Sequence, residues 1–395
     1  MLSLIVFLIL GIIIGIITGL IPGLHPNSVS LITISLALSF PPLPLAVFLI
    51  AMGVTNSFLT FIPSILLGAP EENVLVVLPG HQLLMQGRGY EAIYLSVVGG
   101  LGACIISLVT LPLFSLIIPI IYPLLRPNTH WLLIFVASYM IFSEKKSFFA
   151  LITFLLAGLL GIFSLNHIDS AALFPLLTGL FALPILRSSY KQKVVLPDKI
   201  SFQVEHLSKK FLLYSASIGS LAGILAGLLP GIGSSQAAVL AQEAINTKEN
   251  KKSTRSFLMS LGGINTADII YSLFAILLIG KARSGVAIAV NEIIQLTFND
   301  IFLLCGVILI SSIVSAAITL KISRIAILNI RKINYIKLSR SVFYFLWLLI
   351  LLFSGISGIL IALPAMLIGF LPQKLGIRRT HLMGCLMIPT ILYFL

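Results

Sequence analysis

The chain carries very little charge for its length. Charged residues make up 9% of its 395 residues, hydrophobic residues make up 58%, and mean hydropathy is +1.13. A soluble domain of this size would carry about 25% charged residues. Apolar runs of roughly 18 residues or more recur along the chain. These features predict an all-α polytopic protein of the cell membrane.

Cysteine and catalytic patterns are also scarce. The three cysteines, Cys104, Cys305 and Cys385, lie singly in apolar runs, without the spacing of a zinc site or a disulfide framework. No Ser-His-Asp order, HExxH, phosphate-binding loop or dinucleotide fingerprint is present, and the 12 acidic residues are scattered. We therefore predict no catalytic site, no bound metal centre and no cofactor.

Basic residues are missing from 1–87 and clustered afterwards, in 187–210, 248–255, 321–340 and 374–379. Short basic loops stay cytoplasmic by the positive-inside rule, so the net charge of +13 reports topology. Nucleic-acid binding is not expected, because the basic loops are short and contain no recognisable domain. Contact with anionic lipid headgroups is expected.

One pattern occurs twice. Residues 11–23 read GIIIGIITGLIPG and residues 219–231 read GSLAGILAGLLPG, with three glycines and a Pro-Gly pair recurring 208 positions later. Proline ends a helix and the following glycine accepts unusual dihedrals, so each copy predicts a broken or re-entrant helix. Matched breaks in two halves of a chain point to a transporter's binding site.

The duplication divides the chain into a first transmembrane repeat (1–186), a basic cytoplasmic linker (187–210) and a second repeat (211–395). No basic residue flanks the first broken element, whereas the second lies between basic segments. Equivalent elements would then enter from opposite sides, which predicts inverted-topology repeats. GVTNSFLTFIPSILLG (53–68) also resembles GINTADIIYSLFAILLIG (263–280) when their first glycines are aligned.

Each break offers groups suited to ions. A helix that restarts after the break points free N–H groups and a positive dipole end at an anion, whereas helix-end carbonyls can coordinate Na⁺. Asn27, Ser28, Ser234 and Ser235 are suitable N-cap residues. A kink that serves packing alone remains an alternative at each break. The four-residue glycine spacing favours close helix packing over ligand contact.

Polar residues beside the breaks complete the predicted site. Buried polar groups in membranes bond across helices or line a pathway. Asp268 is the candidate for ion coupling. The alternative is that it forms a salt bridge or lies at a water-exposed helix end. His25 could donate to an anion, carry a proton or hold a turn. The predicted substrate-binding residues are Pro22, Gly23, His25, Asn27, Ser28, Thr55, Asn56, Pro230, Gly231, Gly233, Ser234, Ser235, Asn265 and Thr266.

Glu71, Glu72, Arg88 and Glu91 flank a short apolar stretch, residues 73–79. Acidic residues stabilise a helix N-terminus, so a structural role is favoured over catalysis. Lys281 and Arg283 could attract an anion, but such a pair more often marks a helix end at the interface.

Four stretches resemble the TctA family, the large membrane subunit of tripartite tricarboxylate transporters, and are most similar to its shorter archaeal members. They are IPGLHPNSVS, LLGAPEENVLVVLPGHQLLMQGRGYEA, GLLPGIGSSQAAVLAQE and GGINTADIIYSL. The resemblance implies a cation-coupled transporter of organic carboxylates with both Pro-Gly loops near the substrate. Bacterial members of the family, which are longer, work with a small membrane subunit and a periplasmic binding protein, and a need for these partners here stays open.

The predicted function is secondary active transport of small organic anions, di- or tricarboxylate-like, coupled to Na⁺ or H⁺. An alternative is translocation of a lipid-linked phosphate such as polyprenyl phosphate, because the same breaks would bind phosphate. A third hypothesis is an intramembrane enzyme or an assembly factor, but no feature of the sequence supports it. Assembly into a homo-oligomer stays open.

Overall fold

The computed structural model describes most of the chain, and every regular element in the described part is helical. Eight helices among these residues are long and apolar enough to cross a membrane, which confirms an all-α polytopic protein. The described residues are 2–21, 26–35, 39–67, 80, 82–167, 172–189, 200–229, 233–234, 237–238, 240–241, 245, 250–280, 282, 284–329 and 335–395.

The first half contains nine of the helices labelled here. They are α1 (Leu2–Leu20), α2 (Pro26–Ser35), α3 (Pro42–Leu59), α4 (Phe61–Leu67), α5 (Gly89–Leu125), α6 (Thr129–Phe142), α7 (Ser147–His167), α8 (Leu173–Leu177) and α9 (Leu183–Ser189). A 3-10 turn, Arg126–Asn128, joins α5 to α6, and a π-helical turn, Thr178–Ala182, joins α8 to α9.

The second half follows residues 200–208, which carry no regular structure. Its helices are α10 (Lys209–Leu228), α11 (Asn250–Ile279), α12 (Gly285–Ile293), α13 (Phe298–Asn329), α14 (Tyr335–Gly369), α15 (Leu371–Leu375) and α16 (Gly384–Phe394). Gly355 interrupts α14 with a φ of 60° and a ψ of −152°, a conformation that favours glycine.

Two local predictions differ from the structure. The basic segment 248–255 was expected to be a loop, but α11 begins at Asn250 and takes most of that segment into its first turns. Asn27 and Ser28 were expected to cap a helix, but α2 already begins at Pro26. Proline suits the first helical position, because its fixed φ matches the helix and its missing N–H needs no partner there.

Packing groups the chain into two compact units that each draw on both sequence halves. The first comprises Met1–Tyr122, Val195–Leu229 and Gly233–Lys332, and the second consists mainly of Pro123–Val194 and Ile333–Leu395. The division at residues 186 and 211 and the inverted topology therefore stay predictions about how the halves are related.

In the second unit, Glu144 anchors the turn before α16. Its carboxylate accepts from the backbone N–H of Arg378 at 3.1 Å and lies 3.3 Å from Nε2 of His381. His381 is fully buried, and burial lowers the pKa of its imidazole although Glu144 opposes this shift. These contacts fix the turn on the loop between α6 and α7.

Candidate functional site

In the first unit, the glycines of α1 pack directly on α3. A Cβ at Gly15 would lie 2.6 Å from Cβ of Thr55 and 2.7 Å from the carbonyl oxygen of Met52. A Cβ at Gly19 would lie 2.6 Å from Cβ of Leu59. Only hydrogen fits at these separations, so the prediction of close helix packing is confirmed.

The glycines of α10 pack on α11 in the same way. A Cβ at Gly219 would lie 2.8 Å from the carbonyl oxygen of Ser260. At Gly227 it would lie 3.0 Å from the carbonyl oxygen of Asp268 and 3.0 Å from Cβ of Tyr271. Each helix that ends at a Pro-Gly sequence is thus fixed against the helix that carries the predicted polar residues.

The two helix pairs share one register of contact. Corresponding glycines touch residues of α3 and α11 that are 212 positions apart. The contacts pair Phe48 with Ser260, Ala51 with Gly263, Thr55 with Ala267, Asn56 with Asp268 and Leu59 with Tyr271. The helix pairs are therefore repeated in packing as well as in sequence.

This register corrects the sequence comparison of the two blocks. Aligning Gly53 with Gly263 sets an offset of 210 and pairs Asn56 with Thr266. A shift of two residues turns a helical position by about 200°, which places it on the opposite face. The packing counterpart of Asn56 is Asp268, so an amide in one pair stands where the other has a carboxylate.

Asn56 is buried and bonded across the first pair. Its Nδ2 donates to Oγ1 of Thr18 at 3.2 Å, and Thr18 donates to the carbonyl oxygen of Gly15 at 3.2 Å. Thr55 accepts from the hydroxyl of Ser315 on α13 at 2.9 Å. Thr18 was missed from the sequence, although a threonine directly before a packing glycine in an apolar helix was a usable signal.

Asp268 lies near the middle of the apolar span Lys252–Ile279 and is half-buried. Its Oδ1 accepts from the hydroxyl of Ser272 at 3.2 Å, and the same hydroxyl lies 3.4 Å from the carbonyl oxygen of Gly227. That carbonyl is one of the last four of α10, which a helix leaves without backbone donors of its own. Gly227 and Ser272 were not predicted as site residues.

Asn265 and Thr266 are buried on α11, next to the first half of the chain. A Cβ at Gly100 of α5 would lie 2.9 Å from the Phe58 ring and 3.1 Å from Oγ1 of Thr266. Helices α3 and α11 therefore meet the same point of α5. This contact brings the polar segments of the two halves next to each other.

The segments after the breaks are described only in part. Gly233 accepts from the backbone N–H of Ala237 at 3.1 Å and Ser234 is buried, as expected where a helix restarts. The other predicted residues of the breaks lie outside the described residues or have side chains that do. They are Pro22, Gly23, His25, Asn27, Ser28, Pro230, Gly231 and Ser235.

Ionisable groups are rare inside the described spans. Asp268 is the one acidic residue there that lies away from a span end, and no cluster of three or more His, Cys, Asp or Glu occurs in the described part of the chain. An ionisable side chain at membrane depth is costly, and it generally marks a pathway or an ion site.

Four charged residues form a closed ring of alternating sign at the start of α5 and α11. Fully buried Glu91 accepts from Nε of Arg88 at 2.7 Å and from Nε of Arg255 at 2.8 Å. Glu205 lies 3.0 Å from Arg255 and 3.4 Å from Arg88, and its side chain is 50% exposed. The ring joins α5, α11 and residues 200–208, which gives Arg88 and Glu91 a structural role.

Comparisons with known proteins identify the family of the chain. The model of the tripartite tricarboxylate transporter TctA family matches residues 5–384. An uncharacterised protein of Methanocaldococcus jannaschii is 35% identical over 390 residues, with 94% of each chain covered. No solved structure matches the chain. The chain is therefore a multi-pass integral membrane protein that belongs to the TctA family of tripartite tricarboxylate transporters.

Proposed function

We propose that the protein moves small organic carboxylates across the cell membrane and that a Na⁺ or H⁺ gradient drives the movement. The observation that carries the proposal is the repeated helix pair. In each pair, a helix that ends at a Pro-Gly sequence packs closely on a helix with buried polar groups. The two pairs share one contact register. Membership of a transporter family supports the same conclusion.

The carboxylate would bind to backbone N–H groups that follow the two breaks. In the second half these groups are near 231–235, with Asn265 and Thr266 as further donors. In the first half they are near 23–28, with Thr55 and Asn56. Free N–H groups at a helix start attract anions, because the dipole end is positive there.

The coupling cation would bind in the second half, where Asp268 supplies the only negative charge of the two helix pairs in their described residues. The family name describes a tripartite system. A small membrane subunit and a periplasmic binding protein are therefore proposed partners, and the chain on its own would supply the pathway.

Uptake into vesicles tests this proposal. The full chain, reconstituted alone and with candidate partners, should accumulate carboxylates from a panel that includes citrate when an inward Na⁺ or H⁺ gradient is applied. Pro230→Ala and Asn265→Ala should each reduce uptake at least about tenfold, because both alter the anion site. Gly306→Ala is the matched control, since no atom lies within 4 Å of a Cβ there.

Two results would reject the proposal. Unchanged uptake in both variants would remove the assigned site, and uptake without any cation gradient would remove the coupling. Inhibition of transport by polyprenyl phosphate but not by citrate would instead support the lipid-linked phosphate as the substrate.

A further inference from the structure

We propose that a Na⁺ site lies at the end of α10. Its three protein ligands are the carbonyl oxygen of Gly227, Oδ1 of Asp268 and Oγ of Ser272. This inference rests on the proposed function, because the ion would be the coupling cation. All three groups belong to the second helix pair, and Oγ of Ser272 lies within 3.4 Å of the other two oxygens where α10 packs closely on α11.

The oxygen spacing fits an ion of this size. The Ser272 hydroxyl is 3.2 Å from Oδ1 of Asp268 and 3.4 Å from the carbonyl oxygen of Gly227. In an octahedral shell, metal–oxygen distances of about 2.3–2.6 Å, as for Ca²⁺, separate neighbouring oxygens by about 3.2–3.7 Å. Distances of about 2.0–2.1 Å, as for Mg²⁺, separate them by about 2.8–3.0 Å. Na⁺ has nearly the ionic radius of Ca²⁺, and one carboxylate matches its single charge.

One proton cannot serve both acceptors of Ser272 well. The hydroxyl of Ser272 has one proton and faces two acceptors, at distances longer than the 2.7–2.8 Å typical of an O–H···O bond. The Ser272 side chain is fully buried, so bulk water does not reach it. A small cation beside the Ser272 oxygen would hold all three oxygens by its charge, without dividing one proton between two acceptors.

The position at the end of a helix favours a cation for a second reason. α10 ends at Leu228, and its last carbonyls carry the negative end of the helix dipole. Carbonyls at interrupted helix ends coordinate Na⁺ in transporters with broken helices. Gly227 matters because a side chain there would push the backbone of Asp268 and Ser272 away.

The first helix pair has the same packing but lacks the ligands for a cation. Asn56 occupies the place of Asp268, and its Nδ2 donates a hydrogen bond to Thr18. An amide carries no negative charge, and here its N–H group donates the hydrogen bond that joins the two helices. The packing is therefore duplicated, but the cation site is confined to the second pair.

Thermal unfolding of the purified full chain in detergent tests the site directly. Titration with NaCl, at constant ionic strength against choline chloride, should raise Tm, and KCl should have a much smaller effect. Asp268→Asn should raise the Na⁺ concentration for half-maximal stabilisation by at least about tenfold, because the loss of a direct ligand exceeds that of an outer-shell partner. Ser272→Ala should produce a smaller shift in the same direction.

Thr60→Ala is the matched control, because Thr60 stands 212 positions before Ser272 in the first pair, and it should keep the wild-type response. A Tm that responds equally to Na⁺ and choline, or an unchanged Na⁺ response in Asp268→Asn and Ser272→Ala, would overturn the site. If Asp268→Asn fails to fold, Ser272→Ala decides the question.

Failure of the site and failure of the proposed function give different results. Na⁺-specific stabilisation without carboxylate uptake in vesicles would leave the site and reject the transport proposal. Na⁺-driven uptake that persists in both variants would leave transport and reject the site.

Discussion

The helix pairs α1/α3 and α10/α11 are packed alike and charged differently. Both are held by glycines at four-residue spacing that contact the second helix in the same register. The described residues of α1 and α3 carry no charged side chain, whereas α10 and α11 include lysines, Arg255 and Asp268. Close helix packing and the charge of the packed helices can therefore differ independently in this protein.

The largest expected effect comes from the ring that ties the charged pair to α5. Glu91→Gln removes the negative charge between Arg88 and Arg255 and turns one accepting oxygen into an NH₂ donor, which should reduce the free energy of unfolding by about 3 kcal/mol, because Arg255 stays buried. Denaturant or thermal unfolding in detergent measures the loss. Glu205→Gln is the matched control and should cost less than about 1 kcal/mol, since its carboxylate is half exposed. Equal losses in both variants would contradict a cost that depends on the burial of Glu91.

A loss of stability of intermediate size tests whether the two helix pairs are packed equally closely. Gly15→Ala and Gly223→Ala each place a methyl group against the facing helix and should each cost about 2 kcal/mol. The comparison is made on unfolding midpoints in the absence of Na⁺. Gly306→Ala, with open space around its Cβ, should be neutral. A large loss in one pair and none in the other would disprove the shared register.

The last comparison exchanges the amide and the carboxylate, and it contains the smallest expected effect. Asn56→Asp puts a charge at a buried position and removes the donor to Thr18, which should cost about 2–3 kcal/mol. Asp268→Asn keeps an oxygen that can accept from Ser272 and should change stability by less than about 1 kcal/mol without Na⁺. Unfolding midpoints in choline buffer give both values. A reversed order of the two losses would show that the positions are not counterparts.

Composition and glycine spacing predicted the helical membrane class and the close packing of α1 and α10, because both follow from local sequence. Asp268 was also recognisable, since an acid inside an apolar run is conspicuous. The pairing of Asn56 with Asp268 was not, because letter similarity at Gly53 and Gly263 favoured an offset two residues too short.

The contacts made by Ser272 and Thr18 depend on neighbouring helices, and the bond between Glu91 and Arg255 joins residues 164 positions apart. Nothing in the local sequence specifies which partners meet. The same applies to the start of α11 at Asn250, where basic residues suggested a loop but the helix continues.

The shared register also records how the two copies diverged. The packing glycines recur 208 positions apart and their contacts 212 apart, so the second copy is four residues longer between its contact surfaces. The connections 21–41 and 229–249 have the same length, and the difference lies in α11, which has ten residues before Ser260 where α3 has six before Phe48. Four residues are about one helical turn, and the added length lies outside the contact surfaces. A hybrid gene that exchanges α3 and α11 could therefore keep either connection, because both have the same length and each helix brings its own first turns to the contact surface.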